Sequence, residues 1–418
     1  MIEKSTLASD MAFAADRTKR RTFGALPWRG WRYVACFSIP LFVAILFFGS
    51  SYLFLLRTKE TTGPVSAAQE QDEIGALYGP ALVYRPYAYK LERYRLKQPD
   101  ILLVGSSRVM QFAGEAFRDS VLNTGGAAND MTQAAQFIRD AIAIHKPKAV
   151  LLGLDFWWFN PSRDDETGDT SNMSDQIDLS LTQLLAPWQW MQEGNLRPGS
   201  YLEMLFPLAK PPAGLGAFAK FGGRGWDVYG RYDYGTLLDG GMISDDKQFK
   251  RTLNRLHSKK KSGKLSVNVP PSAEALQQLR DLVTELEAQS IEITLLIPPI
   301  AGPVRTDLAA NPDNRLVPLW RDAVQSMGVR VFDFEDATKI GSNDCEFVDG
   351  LHGGEVIYLR ILDAIANFGG SVLASAIDQD MIAGLIAANA GHAGIAELRP
   401  ADAPAEIDFL DLGCPKKR

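Results

Sequence analysis

Residues 33–56 carry no charged side chain, and no other feature restricts the folding of this chain so tightly. The run of 24 residues exceeds the roughly 20 apolar residues that a helix needs to cross a bilayer. In hydrocarbon a helix satisfies its own backbone polar groups. Trp28, Trp31, Tyr33 and Tyr52 stand near the ends of the run, where amphipathic rings favour the headgroup zone. Ahead of it lie Lys4, Arg17, Lys19, Arg20, Arg21, Arg29 and Arg32 against Glu3, Asp10 and Asp16. That basic excess predicts a cytoplasmic segment over 1–32, an anchor over 33–56 and the remaining chain outside the cytoplasm. A cleaved signal peptide competes, but its apolar core spans only about 7–15 residues. Val65-Ser66-Ala67, the nearest small-residue site, lies well beyond the run. A buried soluble helix is the other alternative, and the length and basic flank count against it.

The rest of the 418-residue chain has ordinary globular composition, with 46% hydrophobic and 22% charged residues, enough for a sizeable core. A net charge of −6 argues against general binding of nucleic acid. Cys36, Cys345 and Cys414 are too few for a disulfide framework and form no CxxC. The expectation is that Cys345 and Cys414 are unpaired thiols. The alternative is a bond between them, formed in an oxidising compartment, that pins the tail beside the candidate site. His145, His257, His352 and His392 are scattered without ligand spacing, so neither a metal nor a cofactor is expected.

Residues 57–97 are polar with Gly, Pro and Tyr and read as a linker. Short apolar runs then alternate with helical periodicity. Ile101–Val104, Ser120–Asn123, Lys148–Leu154, Ile291–Ile297 and Val329–Phe334 read as strands. Asn129–His145, the segment capped by Ser272, Leu316–Met327 and Gly354–Phe368 read as helices. Such alternation predicts an α/β domain over 98–370 with a mostly parallel sheet covered on both faces. Residues 371–418 read as a helical extension and tail. The gap from 156 to 271 is too long for a structureless loop. It holds Trp157, Trp158, Trp188, Trp190 and Trp226, and predicts an insertion over the site. Its aromatics suit sugar rings, or pack a small core of their own. Lys247, Lys250, Arg251, Arg255, Lys259, Lys260, Lys261 and Lys264 form a basic cluster. It reads as a solvated face, with an anionic polymer or lipid headgroups as the alternative.

The chemistry concentrates in two short blocks. In Leu102-Leu103-Val104-Gly105-Ser106-Ser107-Arg108 a serine sits just past a buried strand, and Asp349-Gly350-Leu351-His352 places an acid three residues before a histidine. A serine hydroxyl needs a base within reach, and that base needs a third group to hold its tautomer. Ser107, His352 and Asp349 are therefore the candidate nucleophile, base and orienting acid. Such triads are recognised by geometry rather than chain order. The Gly-rich turn Asn123-Thr124-Gly125-Gly126-Ala127-Ala128-Asn129 offers N–H groups for an oxyanion.

The order strand-Gly-x-Ser, strand-Asn-x-Gly, strand-Gly-x-Asp and Asp-x-x-His before a last helix resembles the SGNH (GDSL-like) hydrolase superfamily, over residues 98–154 and 272–368. The resemblance implies a flavodoxin-like three-layer α/β/α fold and acyl-ester chemistry, with Ser107 as nucleophile. Two departures stand out. Ala128 takes the place of a usual glycine, which preserves an N–H. Asp155, in Gly153-Leu154-Asp155, takes the place of the asparagine that donates to the oxyanion, and a carboxylate has no donor. The hole then falls to the N–H groups of Ser107 and of Gly125, Gly126 and Ala128, with Asn129 or Asn160 as substitutes. Asp155 is turned away or serves another role. Anchor, altered third block and insertion together resemble the membrane-anchored SGNH proteins of exopolysaccharide (alginate-type) O-acetylation and, more distantly, the D-alanyl transfer protein of teichoic acids. That likeness implies a periplasmic domain on the inner membrane, a polysaccharide substrate and a multi-spanning membrane-bound O-acyltransferase as partner. It leaves open a carbohydrate esterase with the same triad, and a non-catalytic glycan-binding scaffold.

Overall fold

A computed structural model describes residues 28–162, 173–207, 213–257, 263 and 265–416. The basic residues from Lys4 to Arg21, and Lys259, Lys260, Lys261 and Lys264, lie outside them. The chain divides into two units, residues 1–50 and 51–418. Helix α1 (Trp28–Arg57) is long and apolar enough to span a membrane, with mean hydropathy 2.2 over its most apolar window. Between residues 31 and 46 its large apolar side chains are exposed, among them Phe37, Leu41 and Ile45. The last turns differ from the sequence expectation. Ser51, Phe54 and Leu55 are buried in the second unit. Phe54 stacks on Tyr201 at 4.8 Å, and Trp188 Nε1 donates to Ser51 Oγ at 2.7 Å. The end of the charge-free run is therefore protein core.

Residues 57–97 are not a linker. They hold α2 (Pro64–Ile74) and α3 (Pro86–Lys97). Tyr87, Tyr89, Lys90, Arg93 and Tyr94 of α3 are buried. The polar tips among them find acceptors: Lys90 Nζ donates to Asn123 O at 2.9 Å and also to Gly230 O, and Arg93 Nη2 donates to Val228 O at 2.7 Å.

The sheet follows, with β1 (Ile101–Val104), β2 (Val121–Asn123), β3 (Ala149–Gly153), the short pair β4 (Gly225–Trp226) and β5 (Tyr232–Asp233), β6 (Glu292–Ile297) and β7 (Arg330–Asp333). β4 and β5 form a separate antiparallel ribbon. The other five are all parallel in the order β2-β1-β3-β6-β7. Counted within the sheet this is 2-1-3-4-5, a common doubly wound order. β1 and β3 are buried along their whole length, as parallel strands covered on both faces must be. One set of packed helices comprises α3 and α4 (Met131–Ile144), then α9 (Ala273–Ala288), which shares the Phe156–Phe159 turn with α11 (Leu316–Gln325). The other comprises α12 (Glu355–Phe368), α13 (Val372–Ala376) and α14 (Gln379–Asn389). α10 (Gly302–Ala310), unforeseen because Pro298-Pro299 reads as a break, follows β6.

The insertion contributes α5 (Leu181–Gln192), α6 (Pro198–Leu205), α7 (Ala217–Gly222) and α8 (Lys250–Leu256). Its aromatics divide between core and surface, with Phe206, Phe218 and Tyr229 exposed. Trp157, Trp158 and Trp226 are buried, and Trp226 lies against Tyr78, Tyr84 and Tyr89 with centroids 5.1–5.7 Å away. At the C-terminus, Cys345 and Cys414 are disulfide-bonded, which corrects the expectation of two free thiols. Lys416 Nζ adds hydrogen bonds to Cys345 O, Gly391 O and Glu406.

Candidate active site

Five parallel strands deliver their C-terminal ends to one edge, the edge where ligands of doubly wound sheets bind. β1 ends at Val104, and Gly105 lets the chain turn sharply. A Cβ there would stand 2.8 Å from Val109 Cγ2 and 3.2 Å from Gly153 O. Ser106 caps the short helical turn that follows, its Oγ accepting from Arg108 N at 3.2 Å. Ser107 is thereby lifted to the sheet edge and stays partly exposed.

Ser107 Oγ lies 2.8 Å from His352 Nε2. His352 Nδ1 lies 2.8 and 2.9 Å from the two oxygens of Asp349. An ionised carboxylate only accepts, so Nδ1 carries the ring proton and Nε2 is left to take the proton of Ser107. Asp349 Oδ1 also accepts from Leu351 N at 2.8 Å and His352 N at 2.9 Å. Burial pushes the Asp349 carboxyl up, but His352 and these two N–H groups hold it well below the usual carboxylate range. Asp246 of the insertion supports the loop, accepting from Gly350 N at 2.9 Å and from Thr252 N and Oγ1 at 2.9 and 2.7 Å. Only glycine fits at 350, since a Cβ would stand 2.8 Å from Thr252 and Val304 side chains.

The residues proposed for the oxyanion are distributed differently from expectation. Asn123 is a clip, donating to Val109 O at 2.9 Å and Phe112 O at 3.1 Å, while its Oδ1 takes the Gly125 N–H at 2.8 Å. Gly126 N donates to Gly105 O at 3.0 Å, and Asn129 N to Gln133 Oε1 at 3.0 Å. The N–H groups of Gly125 and Gly126 are thus spent on seating the second turn against the first. Asn160 is committed too, its side chain bonding Ser266 O and Ser162 N. The described hydrogen bonds leave the backbone N–H groups of Ser107 and Ala128 without an acceptor, and among the backbone donors of the two turns these can serve a developing negative charge. Asp155 is turned inward, away from any such role. It is 1% exposed, and its Oδ1 lies 2.8 Å from Arg108 Nη1.

Sequence reasoning overlooked the contribution of the insertion's ribbon. Tyr232 N donates to Met110 O at 3.0 Å, and Gln111 Nε2 to Tyr232 O at 2.8 Å. β5 is therefore stitched to the residues just after Ser107. Tyr232 and Tyr234, two apart on one strand direction, pack with centroids 5.2 Å apart. Burial, and next the Asp349 carboxylate, push the Tyr234 hydroxyl well above its usual value. No spacing within the sequence signals the register of Tyr232 against Met110. Among the described residues no group of three His, Cys, Asp or Glu is placed to hold a metal ion.

Geometry at this edge fits nucleophilic acyl chemistry: a serine, a base in hydrogen-bond reach, and an acid orienting that base. Compared with protein families, curated proteins and solved structures, the chain matches none of them.

Proposed function

We propose that this chain is a membrane-anchored, extracytoplasmic O-acyltransferase of SGNH type, acting on a cell-surface or secreted polysaccharide through an acyl-serine. The observation that carries the reading is the continuous relay Ser107 Oγ–His352 Nε2 at 2.8 Å and His352 Nδ1–Asp349 at 2.8 Å. Ser107 Oγ attacks the acyl carbonyl while its proton passes to His352 Nε2. The donor's leaving group departs with that proton. A sugar hydroxyl then attacks the acyl-serine, its proton going to His352, which returns it to Ser107 Oγ as the ester bond breaks. Asp349 holds the ring throughout and stays ionised. The acyl group, acetyl in this reading, comes from a multi-spanning membrane-bound O-acyltransferase beside the anchor.

Two features support an extracytoplasmic placement. The basic residues precede the apolar helix, and a disulfide persists in oxidising compartments. A carbohydrate esterase with the same triad is the second reading. One observation favours it: Trp157, Trp158 and Trp226 are turned into the core, which removes much of the aromatic platform that would exclude water. A glycan-binding scaffold accounts for Asp155 but leaves the relay unexplained.

The test uses the detergent-solubilised full chain and a fluorophosphonate probe. Labelling of wild type, lost in Ser107→Ala, is expected. A folded wild type that takes no label would overturn the acyl-serine reading. Acyl transfer to an added oligosaccharide, against release to water, then separates transferase from esterase.

A further inference from the structure

The triad and its supports leave the buried guanidinium of Arg108 without a role. Arg108 follows the nucleophile directly and is 2% exposed. Its guanidinium reaches four acceptors on three segments. Nε donates to Leu351 O at 3.0 Å, Nη1 to Asp155 Oδ1 at 2.8 Å, and Nη2 to Pro298 O at 2.7 Å and Pro299 O at 2.8 Å. Its face lies over the Trp157 ring, 5.3 Å from the centroid. The Arg108 carbonyl accepts from the Tyr358 hydroxyl of α12.

Stability alone does not account for this. Desolvating an ion pair can cost as much as the attraction returns, and well-packed apolar residues often replace such pairs without loss. Here the pair is also incompletely satisfied, because Asp155 Oδ2 is buried with no hydrogen-bond partner among the described residues. What the arrangement does achieve is local. The peptide that joins Leu351 to His352 is gripped through its carbonyl by a side chain whose own backbone adjoins Ser107. The ends of β3 and β6 are tied to the same fork.

We infer that Arg108 is the positioning residue that sets His352 against Ser107, with Asp155 as its counter-ion. Asp155 thus serves the base loop instead of the oxyanion. A planar guanidinium with donors on three edges can hold acceptors lying in different directions, whereas a lysine presents three donors from a single point. The catalytic consequence rests on the acyl-serine reading. The placement of the His352 ring does not.

The experiment compares the full-length chain in detergent with Arg108→Lys. It reads the thermal midpoint, the rate of fluorophosphonate labelling against pH, and the resonance of the His352 Nδ1 proton. A folded Arg108→Lys variant is expected to label about 100-fold more slowly, the scale of loss for a displacement of roughly 1 Å, with the His352 resonance shifted or broadened. A folded variant with the wild-type rate and resonance would overturn the inference. Should Arg108→Lys fail to fold, Asp155→Asn carries the test, since it keeps the shape and removes the counter-charge. Slower labelling with a moved His352 resonance supports the role, and no change in either overturns it. If wild type takes no label, the acyl-serine reading fails on its own, and the His352 resonance alone decides the positioning role.

Discussion

Asp349 is the residue at which local chemistry is most sharply defined. Four hydrogen bonds converge on it within one turn, so its negative charge is held in place by the base it orients. Asp349→Asn would present an amide where only acceptors are wanted and favour the wrong tautomer of His352. The expected outcome is a folded protein whose labelling rate falls by roughly 10³–10⁴-fold, measured with the fluorophosphonate probe at pH 7. The pH dependence has a definite sign. The folded carboxyl lies below its unfolded value of about 3.9, so its stabilisation is complete above that value and is lost only as pH falls through the folded one. Urea midpoints of wild type and Asp349→Asn should therefore differ most near neutrality and converge in strong acid. Convergence already at pH 5 would contradict the lowered position of the Asp349 carboxyl. At this scale the sequence was informative, because Asp-x-x-His closes its contact within a single turn. It was uninformative about Gly125 and Gly126, whose N–H groups are consumed by Asn123 and Gly105, partners that no spacing rule identifies.

Among elements, the strands of the sheet were readable nearly to the residue, most plainly β1 and β3, which are buried along their whole length and are therefore continuous apolar runs. Helix α3 was not. Its Lys90 and Arg93 are buried and look soluble in sequence, because the carbonyls that receive them come from β2 and from the loop that joins β4 to β5. The insertion joins α12 in a similar way. Arg231, 4% exposed, bonds Asp227 at 2.9 Å and Glu355 at 2.7 Å. Arg231→Ala would strand both acids around a buried, uncompensated site, and should cost about 3–5 kcal/mol in urea unfolding monitored by tryptophan fluorescence. A cost under about 1 kcal/mol would mean that the ribbon is not held there by charge.

For the whole molecule, the tail is part of the fold, because the Cys345–Cys414 bond closes a separation of 69 residues. Chain-entropy arguments put such a closure at about 4 kcal/mol, so Cys414→Ser should lower stability by a few kcal/mol, seen as a lower thermal midpoint. Reductant should lower wild type toward the variant and leave the variant itself unmoved. Maleimide labelling of cells, with and without reductant, then reports whether the second unit resides in an oxidising compartment. By itself the sequence determined the long apolar helix, the alternation of strand and helix, and the residue types of the Ser-His-Asp set, because each depends on neighbours within a few positions. Only the tertiary structure decided that Ser107 and His352 meet across 245 residues, that Asp155 faces Arg108, that the end of the long apolar helix is protein core and that two cysteines pair. Those outcomes depend on which distant segments the sheet brings to one edge, and local periodicity carries no record of that.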